Sequence, residues 1–113
     1  MSTNREELLN LLSADAERTS FSIWVNILIE ELEKMVNRGN SSLAIIHHCD
    51  GLVRYIQEYG LKIDWSDKQR EKLEKAMRFY QLISDSYRWR LDPTSVDIKD
   101  LEKRSEEFSY SKE

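Results

Sequence analysis

The fold is decided by residues 21–39, which read FSIWVNILIEELEKMVNRG. Large apolar side chains recur in this stretch three or four residues apart, which is the period of an α-helix. Gly39 then stands where a helix commonly ends in the left-handed conformation. The first half is apolar almost all round, because Ile23 and Ile27 lie nearly opposite the main stripe, so we expect this helix to be central in a bundle. The main stripe comprises Phe21, Trp24, Val25, Leu28, Leu32, Met35 and Val36.

Helix breakers are scarce and stand between the periodic runs. The chain has three glycines and one proline. Gly39 and Gly60 separate runs of helical period, and Pro93 follows the last long run. The sequence therefore predicts an all-α fold, a single-domain bundle of about five helices, two short terminal and three longer central. The domain is expected over residues 1–108, with a polar tail at 109–113.

Capping residues mark where the predicted helices begin. Residues 3–6 and 66–69 fit capping boxes, in which the first and fourth side chains bind each other's backbone N–H groups. The first helix is expected over about 4–14, and the polar residues 13–20 are expected to connect it to the second, with a partly helical connection as the alternative. An alternating stretch at 61–65 is expected to be an extended linker whose apolar side chains pack under the bundle. The third helix is capped by Ser41 or Ser42, and the last by Thr94 or Ser95.

Charge is unevenly spread along the chain. There are 21 acidic and 17 basic side chains, a net charge of −4. Residues 1–50 carry 8 acidic and 4 basic side chains, and so the whole imbalance, whereas residues 51–113 carry 13 of each. Nucleic-acid binding is disfavoured, because it requires a basic face. An acidic first half instead suits a basic protein partner.

The cellular location is predicted from what the sequence omits. Cys49 is the only cysteine, so an internal disulfide is excluded and a reducing compartment is favoured. The first residues lack the apolar segment of a secretory signal. No apolar run approaches the roughly 20 residues of a membrane span. We therefore expect a cytoplasmic protein without a membrane partner.

Reactive side chains cluster at one place, the consecutive residues 47–50, His-His-Cys-Asp. Neighbours on a helix point in different directions, so these four cannot converge on one metal ion. Cys49 lies on the apolar stripe of its helix, where a buried thiol is usually inert. The chain also lacks a phosphate-binding glycine loop and a Gly-x-Ser-x-Gly nucleophile motif. We expect no catalytic, cofactor-binding or metal site, and hence no enzyme.

The fourth predicted helix carries large apolar residues on the side opposite its core stripe. Leu82 and Trp89 lie nearly opposite that stripe, Arg78 shares their side, and Arg88 lies between the two faces. Tryptophan and arginine together are typical of protein-binding hot spots, so these four residues are predicted to bind a partner. The alternative is that the last helix folds back over Leu82 and Trp89. Its covering side chains would be Ile98, Leu101 and Phe108.

Three glutamates on the second predicted helix form an acidic candidate site. Glu30, Glu31 and Glu33 follow the apolar half of that helix, with Asp15 and Glu17 upstream. They are predicted to dock a basic protein, with fast and salt-sensitive association. The alternative is an ordinary solvated helix face.

A small, acidic, all-α chain without catalytic groups is typical of proteins that act through their surface. Bacterial immunity proteins, antitoxins and phage-encoded inhibitors resemble it in size and charge, although no family motif supports a closer kinship. The leading hypothesis is a protein-binding module that binds and inhibits or neutralises a partner protein, such as a basic toxin or a nucleic-acid-processing enzyme. One alternative is a small structural subunit of a larger assembly, including a nucleoprotein one. Another is a homodimer closed by the fourth helix.

Overall fold

The computed structural model describes residues 2–108, with side chains from Asp15 onward, and every regular element in this part of the chain is helical. The elements are α1 (Ser2–Asn37), α2 (Ser42–Glu58), a 3₁₀ turn (Gly60–Lys62), α3 (Asp67–Leu91) and α4 (Ile98–Ser105). The predicted all-α class is confirmed, but the described residues form four α-helices instead of five. The predicted tail at 109–113 and the side chains of the predicted capping box at 3–6 lie outside the described residues.

The first and second predicted helices are one helix, α1, of 36 residues. The polar residues 13–20 do not interrupt it, because they include no glycine or proline and polarity alone does not end a helix. Arg18 forms an ion pair with Asp15 at 2.8 Å within this turn of α1. Its Nε also donates a hydrogen bond of 2.7 Å to the backbone carbonyl of Asp64. The expected connection is therefore helical, and it is anchored to the linker that follows α2.

Helix α2 lies at the centre of the fold. Its apolar stripe from Ile45 to Ile56 is buried, and Cys49, Leu52 and Ile56 are completely inaccessible to solvent. Tyr59, which was predicted to belong to the same stripe, is 60% exposed because it follows the last residue of the helix. Phe21 of α1 packs with Leu52 and Ile56 in one core cluster, and Leu32 of α1 packs with Cys49 in another. Helix α2 packs closely against both α1 and α3, whereas the backbones of α1 and α3 stand further apart over the described residues. The core therefore runs along α2.

Three predicted helix ends are confirmed. Gly39 has a φ of +73°, the left-handed conformation that glycine adopts without strain. Ser41 caps α2 by accepting a hydrogen bond of 3.2 Å from the backbone N–H of Ala44. Ser66 accepts a hydrogen bond from the backbone N–H of Gln69, whose side chain accepts one from the backbone N–H of Ser66. The capping box that begins α3 is therefore complete.

The last helix begins later than predicted. Its N-cap is Asp97, whose side chain accepts a hydrogen bond of 3.0 Å from the backbone N–H of Lys99. Thr94 instead donates its hydroxyl to the Asp92 side chain at 2.6 Å, and Ser95 donates to the Asp92 carbonyl at 2.7 Å. The prediction of Thr94 or Ser95 as the cap is wrong because both hydroxyls close the turn after α3.

The linker between α2 and α3 packs its apolar side chains under the bundle as predicted, although it begins with a 3₁₀ turn. Leu61, Ile63 and Trp65 pack against one of the core clusters. The indole N–H of Trp65 donates a hydrogen bond of 2.7 Å to the carbonyl of Gly60. The backbone at Gly60 approaches the ring of Phe21 so closely that a Cβ would lie 2.4 Å from its Cζ. Glycine is therefore required here by the lack of space.

Replacing Gly60 with alanine should lower the free energy of unfolding by about 1–3 kcal/mol, the range for an over-packed core. The Phe21 ring cannot move aside easily, because it is buried and stacks on Tyr55 with centroids 5.3 Å apart. Gly51→Ala is the matched control, since Gly51 is exposed within α2 and a Cβ there meets nothing within 4 Å. The free energy of unfolding of the control should rise by about 0.5–1 kcal/mol. Urea denaturation measures both, and equal effects of the two substitutions would contradict the close contact at Gly60.

Candidate functional site

Part of the interaction surface predicted on α3 lies under α4. Leu82 is 8% exposed, and Leu101 of α4 is 6% exposed. Trp89 is half-buried, whereas Ile98, which was expected to help cover this face, is exposed. The arrangement corresponds to the alternative in which the last helix folds back, with Leu101 as the buried residue of α4.

Ion pairs join α4 and the residues after it to the same side of α3. Arg78 donates two hydrogen bonds to Glu107, at 2.5 and 3.1 Å. The hydrogen bond from Arg78 lowers the pKa of the Glu107 carboxyl. Asp85 accepts a hydrogen bond of 2.9 Å from Arg104. Arg78 was predicted to contact a partner, and it is engaged within its own chain.

Arg88 belongs to a polar network between α2 and α3. Its guanidinium group pairs with the carboxylate of Asp50, which also accepts a hydrogen bond of 2.7 Å from the hydroxyl of Ser84. The Nε of Arg88 lies 3.7 Å from a carboxylate oxygen of Asp85. An open groove of about 700 Å³ lies beside the network and is lined mainly by polar side chains. Because the carboxylates and the guanidinium group satisfy each other, we interpret the network as a link between helices.

The sequence does not predict this network, although a polar residue on the core stripe of α3 indicates that a buried polar contact exists. Ser84 is fully buried on the core stripe of α3, four residues after Tyr80 and seven after Met77. A polar side chain at a core position needs a hydrogen-bond partner. The partner, Asp50, depends on how α2 packs against α3, and no spacing within one helix gives that.

The reactive residues of α2 have separate environments. The Nε2 of the half-buried His48 donates a hydrogen bond of 2.7 Å to the carbonyl of Leu28, whereas His47 is exposed. Burial, and then the nearby charge of Asp50, raises the pKa of the Cys49 thiol to about 11, so the thiol is protonated at neutral pH. Among the described residues, no three His, Cys, Asp or Glu side chains are grouped so as to hold a metal ion.

The acidic candidate residues lie at the surface of α1. Glu30 and Glu33 are exposed. Glu31 is partly buried, and one of its carboxylate oxygens lies 3.9 Å from Arg38. All three predicted glutamates therefore keep carboxylates that a partner can reach, since even the side chain of Glu31 is 45% exposed.

An exposed apolar patch, which we call the outer face of α1, comprises Ile23, Trp24 and Ile27. These side chains are 54%, 55% and 48% exposed. The prediction that Trp24 belongs to the core, and that this half of the helix is central, is wrong because the other helices cover a single side of α1. Glu30 and Glu31 follow Ile27 by three and four residues, so they border the patch.

Helices α1 and α3 leave two apolar grooves between them, which we together call the α1–α3 seam. The larger groove has a volume of about 460 Å³ and the smaller one about 330 Å³. Residues 29–37 lie beside residues 79–87 in the larger groove, and residues 21–26 lie beside residues 69–76 in the smaller one. Val36 was predicted to be a core residue, but it is exposed at the edge of the larger groove because α3 does not close over it.

Two apolar regions at the surface of the described residues, the outer face of α1 and the α1–α3 seam, therefore lie on either side of Glu30. None of the helices in this part of the chain is both long and apolar enough to pass through a membrane. Comparisons with models of known protein families, with curated proteins and with solved structures found no match to this chain.

Proposed function

We propose that this protein is a protein-binding module that uses the outer face of α1 to bind and block a basic partner protein. The observation that carries the proposal is the exposure of Ile23, Trp24 and Ile27. Ile27 follows Ile23 by four residues and Trp24 by three, so the three side chains form one continuous apolar surface on the helix. Exposed apolar patches mark interaction sites in soluble proteins, and tryptophan is enriched among the residues that dominate binding energy.

Charge beside the patch supports a basic partner. Glu30 is exposed at one end of the outer face, and the exposed Glu17 lies two turns before Trp24 on the same side of α1. Residues 1–50, which include this face, carry the whole net charge of −4. Complementary charge speeds association and orients the partner before the apolar contact forms.

Binding inhibits the partner when it covers the surface with which the partner binds its own substrate. Toxins and enzymes that act on nucleic acids present basic surfaces to phosphate groups. Helix α1 has 36 residues and is therefore about 54 Å long. An acidic and partly apolar helix of this length is suited to lie across such a surface and exclude the nucleic acid.

Trp24→Ala should weaken binding of the partner by about 30-fold, which corresponds to about 2 kcal/mol for a hot-spot residue. Leu43→Ala is the matched control, because Leu43 is also exposed but lies on α2, outside the outer face. Each chain is immobilised and exposed to a lysate of its source cells. The retained protein is then identified and purified, and its dissociation constant with each chain is measured by calorimetry.

The expected result is a basic protein whose affinity falls with Trp24→Ala and is unchanged with Leu43→Ala. A partner that binds the Trp24 variant as tightly as the original chain would overturn the proposal. Retention of an acidic protein, or of none in amounts comparable to the immobilised chain, would also overturn it.

The second candidate function, a structural subunit of a larger assembly, is favoured by the same apolar patch, which would then be a permanent interface. The salt dependence of partner binding distinguishes an inhibitor from a structural subunit. Raising the ionic strength from about 0.1 to 1 M shortens the Debye length from about 10 to about 3 Å. Binding steered by Glu17 and Glu30 should then weaken strongly, whereas a mainly apolar subunit contact should persist.

A further inference from the structure

We infer that two copies of this chain associate through the α1–α3 seam. The seam lies on a different side of α1 from the outer face, because Ile29, which lines the larger groove, lies about 200° around the helix from Ile27. Val36 and Phe79 flank that groove and remain partly exposed in the single chain. A protein bound to the outer face would therefore leave the seam free for a second copy.

The two rims of the seam carry opposite charges. Glu30 and Glu33 stand on the α1 rim, and both are exposed. Lys72 and Lys75 stand on the α3 rim, where they share a helix side with Phe79 because they precede it by seven and four residues. A surface with one acidic edge and one basic edge is complementary to a second copy of itself.

The charges select one of the two symmetric ways in which two seams can face each other. A two-fold axis across the seam would place α1 over α1, and so acidic side chains over acidic ones. A two-fold axis along the seam places α1 of each copy over α3 of the other, so that the acidic rim meets the basic rim twice. The axis along the seam is therefore the one that the charge pattern favours.

The register of the seam identifies a contact between copies. Within one chain, residues 29–37 lie beside residues 79–87. An axis along the seam keeps this register between the copies, so Glu30 of one copy lies about five residues, or about 8 Å along the helix, from Lys75 of the other. Both residues stand on the outer edges of their rims, and their long side chains span that separation once the Nζ of Lys75 leaves the Phe108 ring of its own chain, from whose centroid it lies 5.8 Å in the single chain.

The seam has the size of a small dimer interface. Residues 21–37 of α1 extend about 25 Å at about 1.5 Å per residue. Two neighbouring helices present a face about 20 Å wide. The projected area of this face is therefore about 500 Å² per copy. The accessible surface that it would bury is larger, because side chains make the surface uneven, and it approaches the roughly 800 Å² per partner of a standard interface. Its apolar centre and charged rims also match the usual composition of such interfaces.

Sedimentation equilibrium of the purified chain alone tests the inference. We expect a reversible dimer at about 100 μM protein, with an affinity in the micromolar range that falls with salt. Val36→Glu should raise the dissociation constant at least about tenfold, because it would bury an unpaired charge among apolar side chains. The fold should survive, since Val36 is exposed in the single chain. Trp24→Ala is the control and should leave the dimer unchanged.

Charge reversal tests the direction of the two-fold axis. Glu30→Lys and Lys75→Glu should each weaken the dimer about tenfold, because each places like charges over one another. The double variant exchanges the two charges and should restore the dimer, which is the signature of direct coupling in a double-mutant cycle. A double variant weaker than both single variants would contradict the axis along the seam.

A chain that stays monomeric at all concentrations would overturn the inference. So would a dimer that persists with Val36→Glu, or one that Trp24→Ala abolishes. These results are separate from the proposed function, because partner binding at the outer face is measured with the partner present and at concentrations below those at which the chain self-associates.

Discussion

Ile56→Ala is expected to lower the free energy of unfolding by about 3–4 kcal/mol. Ile56 is completely buried beside Leu52 of the same helix, where α2 meets Phe21 of α1, so a shorter side chain leaves a cavity that these packed neighbours cannot fill. A chain of this size has a total stability of about 5–15 kcal/mol, so the loss is a large share of it. Urea denaturation followed by far-UV circular dichroism measures the change.

Leu43→Ala is the control for this prediction, because Leu43 lies on the same helix and is 61% exposed. Its removal should change the free energy of unfolding by less than about 0.5 kcal/mol. A loss below about 1 kcal/mol for Ile56→Ala would mean that the site collapses easily, and it would contradict the central position of α2.

Helical periodicity predicts α2 well because one side of this helix is apolar and the other is polar. Its stripe from Ile45 to Ile56 is buried, and Arg54, on the polar side, is exposed. The same rule fails in α1, where Ile23 and Trp24 extend the apolar surface around most of the helix. Periodicity identifies residues that share a side of a helix, but it does not say how many sides the neighbouring helices cover.

Helix ends are predictable where the stabilising contacts are local. The capping box of Ser66 and Gln69 lies within one turn, so the sequence contains the whole interaction. The continuity of α1 is also a local matter, since residues 13–20 contain no glycine or proline, and their polarity suggests a connection although polarity alone does not end a helix. The local sequence does not reveal the contact of Arg18 with the backbone of Asp64, 46 residues away, which anchors this part of α1 to the linker.

The candidate surfaces also include some that the local sequence predicts and others that depend on tertiary packing. The exposure of Glu30 and Glu33 follows from the polar side of one helix, and the sequence predicts it. The burial of Leu82 depends on where α4 folds, and the α1–α3 seam depends on the spacing of two helices that are distant in the chain. Both features are tertiary, so the sequence presents the burial of Leu82 as one of two alternatives and does not predict the seam.

Leu101→Ala is expected to detach α4 from α3 and to cost about 2–3 kcal/mol. Leu101 is the buried residue of α4, and the helix has eight residues, too few to remain helical without packing. The ion pairs Arg78–Glu107 and Asp85–Arg104 join side chains that are about a third to a half exposed. Ion pairs between such exposed side chains contribute little to stability, so they should not retain α4 alone. Limited proteolysis between α3 and α4 should become faster.

Ile98→Ala is the matched control, because Ile98 lies on the same short helix but is 42% exposed. It should leave the rate of proteolysis unchanged. Detachment of α4 would also uncover Leu82, so the Leu101 variant should bind a dye that fluoresces on apolar surfaces. If the ion pairs held α4 instead, Leu101→Ala and Ile98→Ala would behave alike, and Arg78→Ala would release the helix. The variant that exposes Leu82 therefore shows whether apolar packing or charge keeps this side of α3 closed to a partner.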